Sequence, residues 1–278
     1  MKRTIHGKKN LKKTSRHVNL DFKKRGAASI RKQSERQEKF GYLHSPTFRS
    51  DEADFLSETE NFFTGLYRAL RMFYEYMHGF YAFQKTKNCV TIFGSARFPR
   101  NHRYYQLARE TGKLLAATKF TVMTGGGPGI MEAASRGAKE GGGISLCCNI
   151  ILPSAGTEPP NPYADKRIHM HYFFIRKVFL TKYSVAFIIM PGGFGTLDEM
   201  FEMMTLIQTK KMKNFPLVLM GKSFWQPLIT FIRSTLLAQG TIAAKDIDDL
   251  LLTDSPEEAV DYIYQYLALC NKVDAKES

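Results

Sequence analysis

Several absences narrow this 278-residue chain. Its four cysteines, Cys89, Cys147, Cys148 and Cys270, show no metal-ligand spacing and no disulfide framework. They read as small apolar core residues in a reduced, cytoplasmic setting. No run reaches the roughly 20 apolar residues of a membrane span, so no membrane contact is expected. No apolar segment follows the basic N-terminus, which argues against a secretory signal. No Gly-Lys-Ser/Thr closes a glycine loop, excluding a P-loop, and no complete G-x-G-x-x-G is present, disfavouring an NAD-dependent oxidoreductase. Neither a metal nor a cofactor is called for.

Acidic residues are scarce at one end only. Residues 1–50 hold fifteen Lys or Arg against three Asp or Glu, so nearly all of the net charge of +14 sits there. That segment is read as a basic, disordered tail. Contact with nucleic-acid phosphates is conceivable for it, yet no named nucleic-acid motif supports that use. A transit peptide is a third reading. The remaining chain is close to neutral.

Residues 51–85 form a second segment. Phe55, Phe62, Leu66, Ala69, Leu70, Phe73, Met77 and Phe80 recur at helical spacing among charged residues, predicting one or two amphipathic helices. Their aromatic stripe is expected to pack on a sheet or on a partner subunit. Residues 86–278 then alternate apolar strand-like runs with helical patterns. That alternation predicts an α/β fold, a Rossmann-like doubly wound parallel sheet carrying an N-terminal helical extension.

Two glycine loops stand between a predicted strand and a predicted helix. Gly125, Gly126 and Gly127 follow Phe120–Met123, and Gly192, Gly193 and Gly195 follow Val185–Met190. Such loops let backbone N–H groups crowd an anion at a helix N-terminus, at the strand ends where open sheets bind ligands. They serve equally as tight turns for close helix-sheet packing. The stretch Thr196-Leu197-Asp198-Glu199 also has the form of a capping box, in which Glu199 would bond the Thr196 N–H. A charge pair, Arg176-Lys177, lies inside the apolar run Phe173–Leu180 and needs a partner there.

Together these segments resemble a known family. Pro191-Gly192-Gly193-Phe194-Gly195-Thr196-Leu197-Asp198-Glu199 matches the PGGxGTxxE signature of the LOG (Lonely Guy) family, proteins once labelled lysine decarboxylases. Phe93-Gly94-Ser95-Ala96-Arg97 is similar to its first strand-loop, Thr124–Met131 to its second glycine loop, and Arg176-Lys177 to its Arg-Lys pair. The resemblance covers roughly residues 88–265. It implies a phosphoribohydrolase that splits the N-glycosidic bond of a nucleoside 5′-monophosphate, by default AMP or else a cytokinin ribotide, giving free base and ribose 5-phosphate.

On that resemblance Arg176 and Glu199 are the expected catalytic pair. Gly94, Ser95, Gly125, Gly126, Gly127, Lys177, Gly192, Gly193, Gly195, Thr196, Asp198 and Thr205 are the expected substrate contacts. A carboxylate suits this reaction because the sugar gains positive charge as the base departs. A homodimer or larger homo-oligomer is expected. The competing reading is a nucleotide-sensing module of the same fold without turnover. A pyridoxal-dependent decarboxylase would require a Schiff-base lysine, and no lysine recommends itself.

Overall fold

The computed structural model describes residues 61–152, 156–157, 161–212, 215–248 and 250–277. The expected basic tail and the start of the helical extension, Phe55 included, lie outside them.

Helix α1 (Phe62–Phe83) precedes a strand-helix alternation. Its members are β1 (Cys89–Phe93), α2 (Arg103–Ala117), β2 (Thr121–Thr124), α3 (Ile130–Glu140), β3 (Ser145–Leu152), β4 (Gly156–Thr157) and β5 (Lys166–Met170). There follow α4 (Phe173–Lys182), β6 (Ser184–Ile189), α5 (Phe194–Gln208), β7 (Leu217–Met220), α6 (Lys222–Phe231, continued by a π-helical turn through Leu237), α7 (Lys245–Asp248), β8 (Leu250–Thr253) and α8 (Pro256–Glu277). Seven parallel strands run in the order β5-β3-β2-β1-β6-β7-β8, and the two-residue β4 adds antiparallel to the end of β3. This is the doubly wound α/β sheet the alternation implied.

The central strands are largely apolar because both of their faces are covered. Val90, Ile92, Val122, Ala186, Ile188 and Val218 face one core with α2, α3 and α8. Cys89, Phe93, Met123, Phe187, Ile189 and Leu219 face the other, with α4, α5 and α6. Cys89 and Cys148 are buried in the second of these layers, and Cys147 is buried beside them; all three are free thiols.

Three strands differ from the sequence reading: β4, β5 and β8 were not foreseen. In β5, Lys-Arg-Ile-His-Met buries only alternate residues, since an edge strand is covered on fewer sides. α1 departs more sharply. Its buried residues are Glu75, Gly79 and Phe83, while Phe62, Leu66, Leu70, Phe73, Met77 and Phe80 of the expected packing stripe are exposed. Against the sheet layer α1 therefore sets the opposite side of the helix, and among the described residues the aromatic stripe covers no core.

At α8, Ser255-Pro256-Glu257-Glu258 has the form of a capping box, and half of it is made. The Glu258 N–H donates to Ser255 Oγ at 3.1 Å, but the Ser255 N–H goes to Thr253 Oγ1. No helix among the described residues is long and apolar enough to cross a membrane.

Candidate active site

The order of the sheet locates a crevice. From β1 the chain winds outward through β2, β3 and β5, then α4 carries it back to β6 on the other side of β1. The connections above β1 and β6 therefore diverge, and open α/β sheets bind ligands at such a switch point. Three predicted segments converge there: Gly94-Ser95 after β1, Gly125–Gly127 after β2, and Gly192-Gly193 after β6. The Ser95 N–H donates to the Pro191 carbonyl at 3.0 Å, joining two of them. Ser95 Oγ accepts the Arg97 N–H at 3.1 Å, and a side chain at Gly94 would strike Ile130. Both positions are engaged in shaping the turn.

Helix α5 opens the anion site. Gly193 is its N-cap residue, no side chain caps it, and the first helical bond runs from the Leu197 N–H to the Gly193 carbonyl at 3.0 Å. The amides of Phe194, Gly195 and Thr196 precede that bond, at the positive end of a four-turn helix. A Cβ at Gly193 or Gly195 would meet nothing within 4 Å, so open space lies over this end. Phe194 is 93% exposed beside it.

The capping-box alternative does not hold. The helix begins at Phe194, two residues before Thr196 would have to sit outside it, so Glu199 lies in the second turn and not the first. Thr196 is buried, and its Oγ1 lies where a Cβ on Gly192 would come within 2.0 Å.

Glu199 is 6% exposed, and its Oε2 has no hydrogen-bond partner among the described residues. Burial pushes its pKa up to about 7, against the pull of Arg176 and Lys177. Arg176 does not pair with it directly. Arg176 Nε donates to the Cys148 carbonyl at 2.8 Å and Nη2 to the Gly125 carbonyl at 3.5 Å, leaving Nη1 without a partner among the described residues. Gly125 must be small here, because a Cβ would sit 2.0 Å from Nη2.

Other expected contacts are engaged elsewhere. Lys177 Nζ lies 2.7 Å from Asp198 and 2.8 Å from Glu202, clamping α4 to α5. Burial pulls its pKa down, but the two carboxylates win and hold it above the ordinary lysine range. Thr205 is exposed, about three turns along α5, with its hydroxyl bonded back to the Phe201 carbonyl at 2.7 Å. It lies far from the anion-binding end.

One residue escaped the sequence reading. Asn149 of β3 is fully buried, and neither polar atom of its amide has a partner among the described residues. It sits beneath Gly126, whose φ is +78° and where a Cβ would lie 2.1 Å from Asn149 Oδ1. The signal was a lone amide inside an apolar strand run.

Comparison with known proteins agrees with this geometry. A family model described as "Possible lysine decarboxylase" matches residues 131–263. A cytokinin riboside 5′-monophosphate phosphoribohydrolase from Rhodococcoides fascians is 30% identical over 152 residues, 53% of this chain and 75% of that protein. The chain belongs to the LOG family. A LOG phosphoribohydrolase of the same description from Oryza sativa subsp. japonica is 31% identical over 153 residues, 54% of this chain and 61% of the rice protein. A pyrimidine/purine nucleotide 5′-monophosphate nucleosidase from Escherichia coli K12 is 30% identical over 161 residues, 54% of this chain and 35% of that longer protein. Among solved structures, the structural-genomics X-ray structure of TM1055 superposes with a TM-score of 0.50 at 26% identity, covering 64% of this chain and 99% of that one. The LOG signature loop of this chain is the one that opens α5.

Proposed function

We propose that this protein is an N-glycosidase that hydrolyses nucleoside 5′-monophosphates to free base and ribose 5-phosphate. The observation that carries the reading is Glu199: a buried carboxylate whose Oε2 has no hydrogen-bond partner among the described residues, with its pKa near 7, about one helical turn from an open, uncapped helix N-terminus. Family membership and the activities named for its relatives support the same chemistry.

In this reading the 5′-phosphate sits on the amides from Gly193 to Thr196 and on the Thr196 hydroxyl. The ribose then lies toward Glu199 and Arg176. The bond between C1′ and the base nitrogen breaks with its electron pair leaving on the base, and positive charge builds on the sugar. Glu199 as carboxylate stabilises that charge and takes a proton from the attacking water, whose oxygen bonds to C1′. The same proton can then pass to the departed base. The free Nη1 of Arg176 suits a ribose hydroxyl. Gly125 leaves room for the Arg176 guanidinium, while Lys177 and Asp198 hold the α4–α5 clamp in place.

The decarboxylase label of the family model does not suit Lys177. A Schiff-base lysine needs a lowered pKa, whereas Lys177 is held charged between two carboxylates. The test is a panel of purine, pyrimidine and prenylated adenine monophosphates with base release followed by chromatography. AMP is expected to turn over, with Glu199→Ala slower by about a hundredfold or more. Tight binding without turnover across the panel would favour a sensor instead.

The same reading sets the enzyme in the cytoplasm, where mononucleotides and reduced thiols coexist, in keeping with the buried free thiols of Cys89, Cys147 and Cys148. It includes a homo-oligomer, supported by the outward aromatic side of α1.

A further inference from the structure

α1 reaches the helix that bears Arg176 through one buried acid. Glu75 is 7% exposed, and its carboxylate lies over the start of α4. Oε1 accepts the His171 N–H at 2.9 Å and the Tyr172 N–H at 3.4 Å, and Oε2 lies 3.0 Å from His171 Nδ1. Tyr172 is the N-cap residue of α4 and offers no side-chain cap of its own. An acceptor from another helix thus holds the two residues that lead into α4, and a negative charge there suits the helix dipole.

The turn so held is the one that matters chemically. The Arg176 N–H donates to the Tyr172 carbonyl at 3.1 Å, so residues bonded by Glu75 form the turn that holds Arg176. The contact continues along α1. Gly79 packs where a Cβ would lie 2.6 Å from the Phe179 ring, and the Phe83 ring meets those of Phe179 and Tyr183. A buried acid that only fastened α1 could have bonded any donor on α4. This one takes the donors that fix the helix start.

We propose that Glu75 is a positioning residue for the reaction: from the N-terminal helix it fixes the first turn of α4, and thereby the seat of the Arg176 guanidinium on the Cys148 and Gly125 carbonyls. α1 lies outside the span matched by the family model, so this support is not part of the matched region. Its kinetic consequence rests on the phosphoribohydrolase reading, while its structural consequence does not.

The test compares full-length wild type with Glu75→Ala, Glu75→Gln and Phe83→Leu, the last loosening α1 on α4 without touching these bonds. AMP turnover, Tm and amide hydrogen exchange are measured for each. Glu75→Ala should lower kcat about tenfold with KM changed less than about threefold, because Arg176 acts on the sugar and not on the phosphate. Exchange over residues 171–177 should rise while β1 and β6 stay protected. Glu75→Gln, whose amide oxygen still accepts both N–H groups, should recover most of the rate. Phe83→Leu should lower Tm at least as much yet keep kcat within about twofold.

An unchanged kcat in Glu75→Ala, an equal loss in Phe83→Leu, or unchanged exchange over 171–177 would each overturn the proposal. A wild type that hydrolyses no monophosphate would sink the functional reading, and the exchange result would then decide the role of Glu75 by itself.

Discussion

Glu199 sets folding against chemistry. Its pKa is raised from 4.5 to about 7 by burial, so the folded protein prefers it protonated. The stability tied to this group is complete below pH 4.5 and is lost as pH rises through 7. At 1.36 kcal/mol per pH unit, the span from 4.5 to about 7 sets a ceiling of roughly 3 kcal/mol. Glu199→Gln should therefore stabilise the protein by about 1–3 kcal/mol at pH 8 and far less at pH 5, measured by urea unfolding, while abolishing turnover. If the carboxylate form acts, wild-type kcat/KM should fall about tenfold per unit below pH 7. A profile flat down to pH 5 would remove Glu199 as the base. The sequence made Glu199 visible through its motif, but the motif also fitted a helix cap, and only the helix start at Phe194 separates the two. Asn149 and Glu75 were illegible for another reason: each acts on an element distant in sequence, and one-dimensional spacing carries no trace of that.

At the scale of elements, the two glycine loops look alike in sequence and are glycine-rich for different reasons. In the loop after β2, Gly126 has a φ of +78° and Asn149 beneath it, so the fold itself demands glycine. At the start of α5, Gly195 faces open space in ordinary helical backbone, so only a ligand would object to a methyl group. Gly126→Ala should thus cost about 2 kcal/mol or more, lowering Tm by roughly 4–8 °C. Gly195→Ala should leave Tm unchanged or raise it slightly, since alanine is the better helix former. Its KM for AMP should nonetheless rise about tenfold or more as the methyl group crowds the phosphate. Equal effects of the two substitutions on Tm would refute this division. Legibility follows the same logic. β1, β2, β3, β6 and β7 are covered on both faces and wrote themselves as apolar runs, whereas the edge strand β5 kept Lys166, Arg167 and His169 and read as a loop.

At the scale of the whole molecule, one side of α1 is left exposed among the described residues. Phe63, Leu66, Leu70, Phe73, Met77 and Phe80 follow a three-four spacing along the outer side of α1, the seam pattern of paired helices, and are 38–79% exposed. With Tyr67, Tyr74 and Tyr81 alongside, they present a continuous, largely apolar surface of the kind that helix–helix interfaces bury. A helix can meet its own copy across a two-fold axis, which makes such a seam self-complementary. Charge does not oppose the encounter there, because the chain beyond residue 50 is nearly neutral. Wild type at micromolar concentration is therefore expected to sediment as a dimer or larger. Leu70→Asp with Phe73→Asp places two charges in the seam at exposed positions, so it should leave the fold and Tm nearly unchanged. The dimer dissociation constant should rise about a hundredfold or more. A wild-type protein that sediments as a monomer at tens of micromolar would show that α1 does not pair with its own copy.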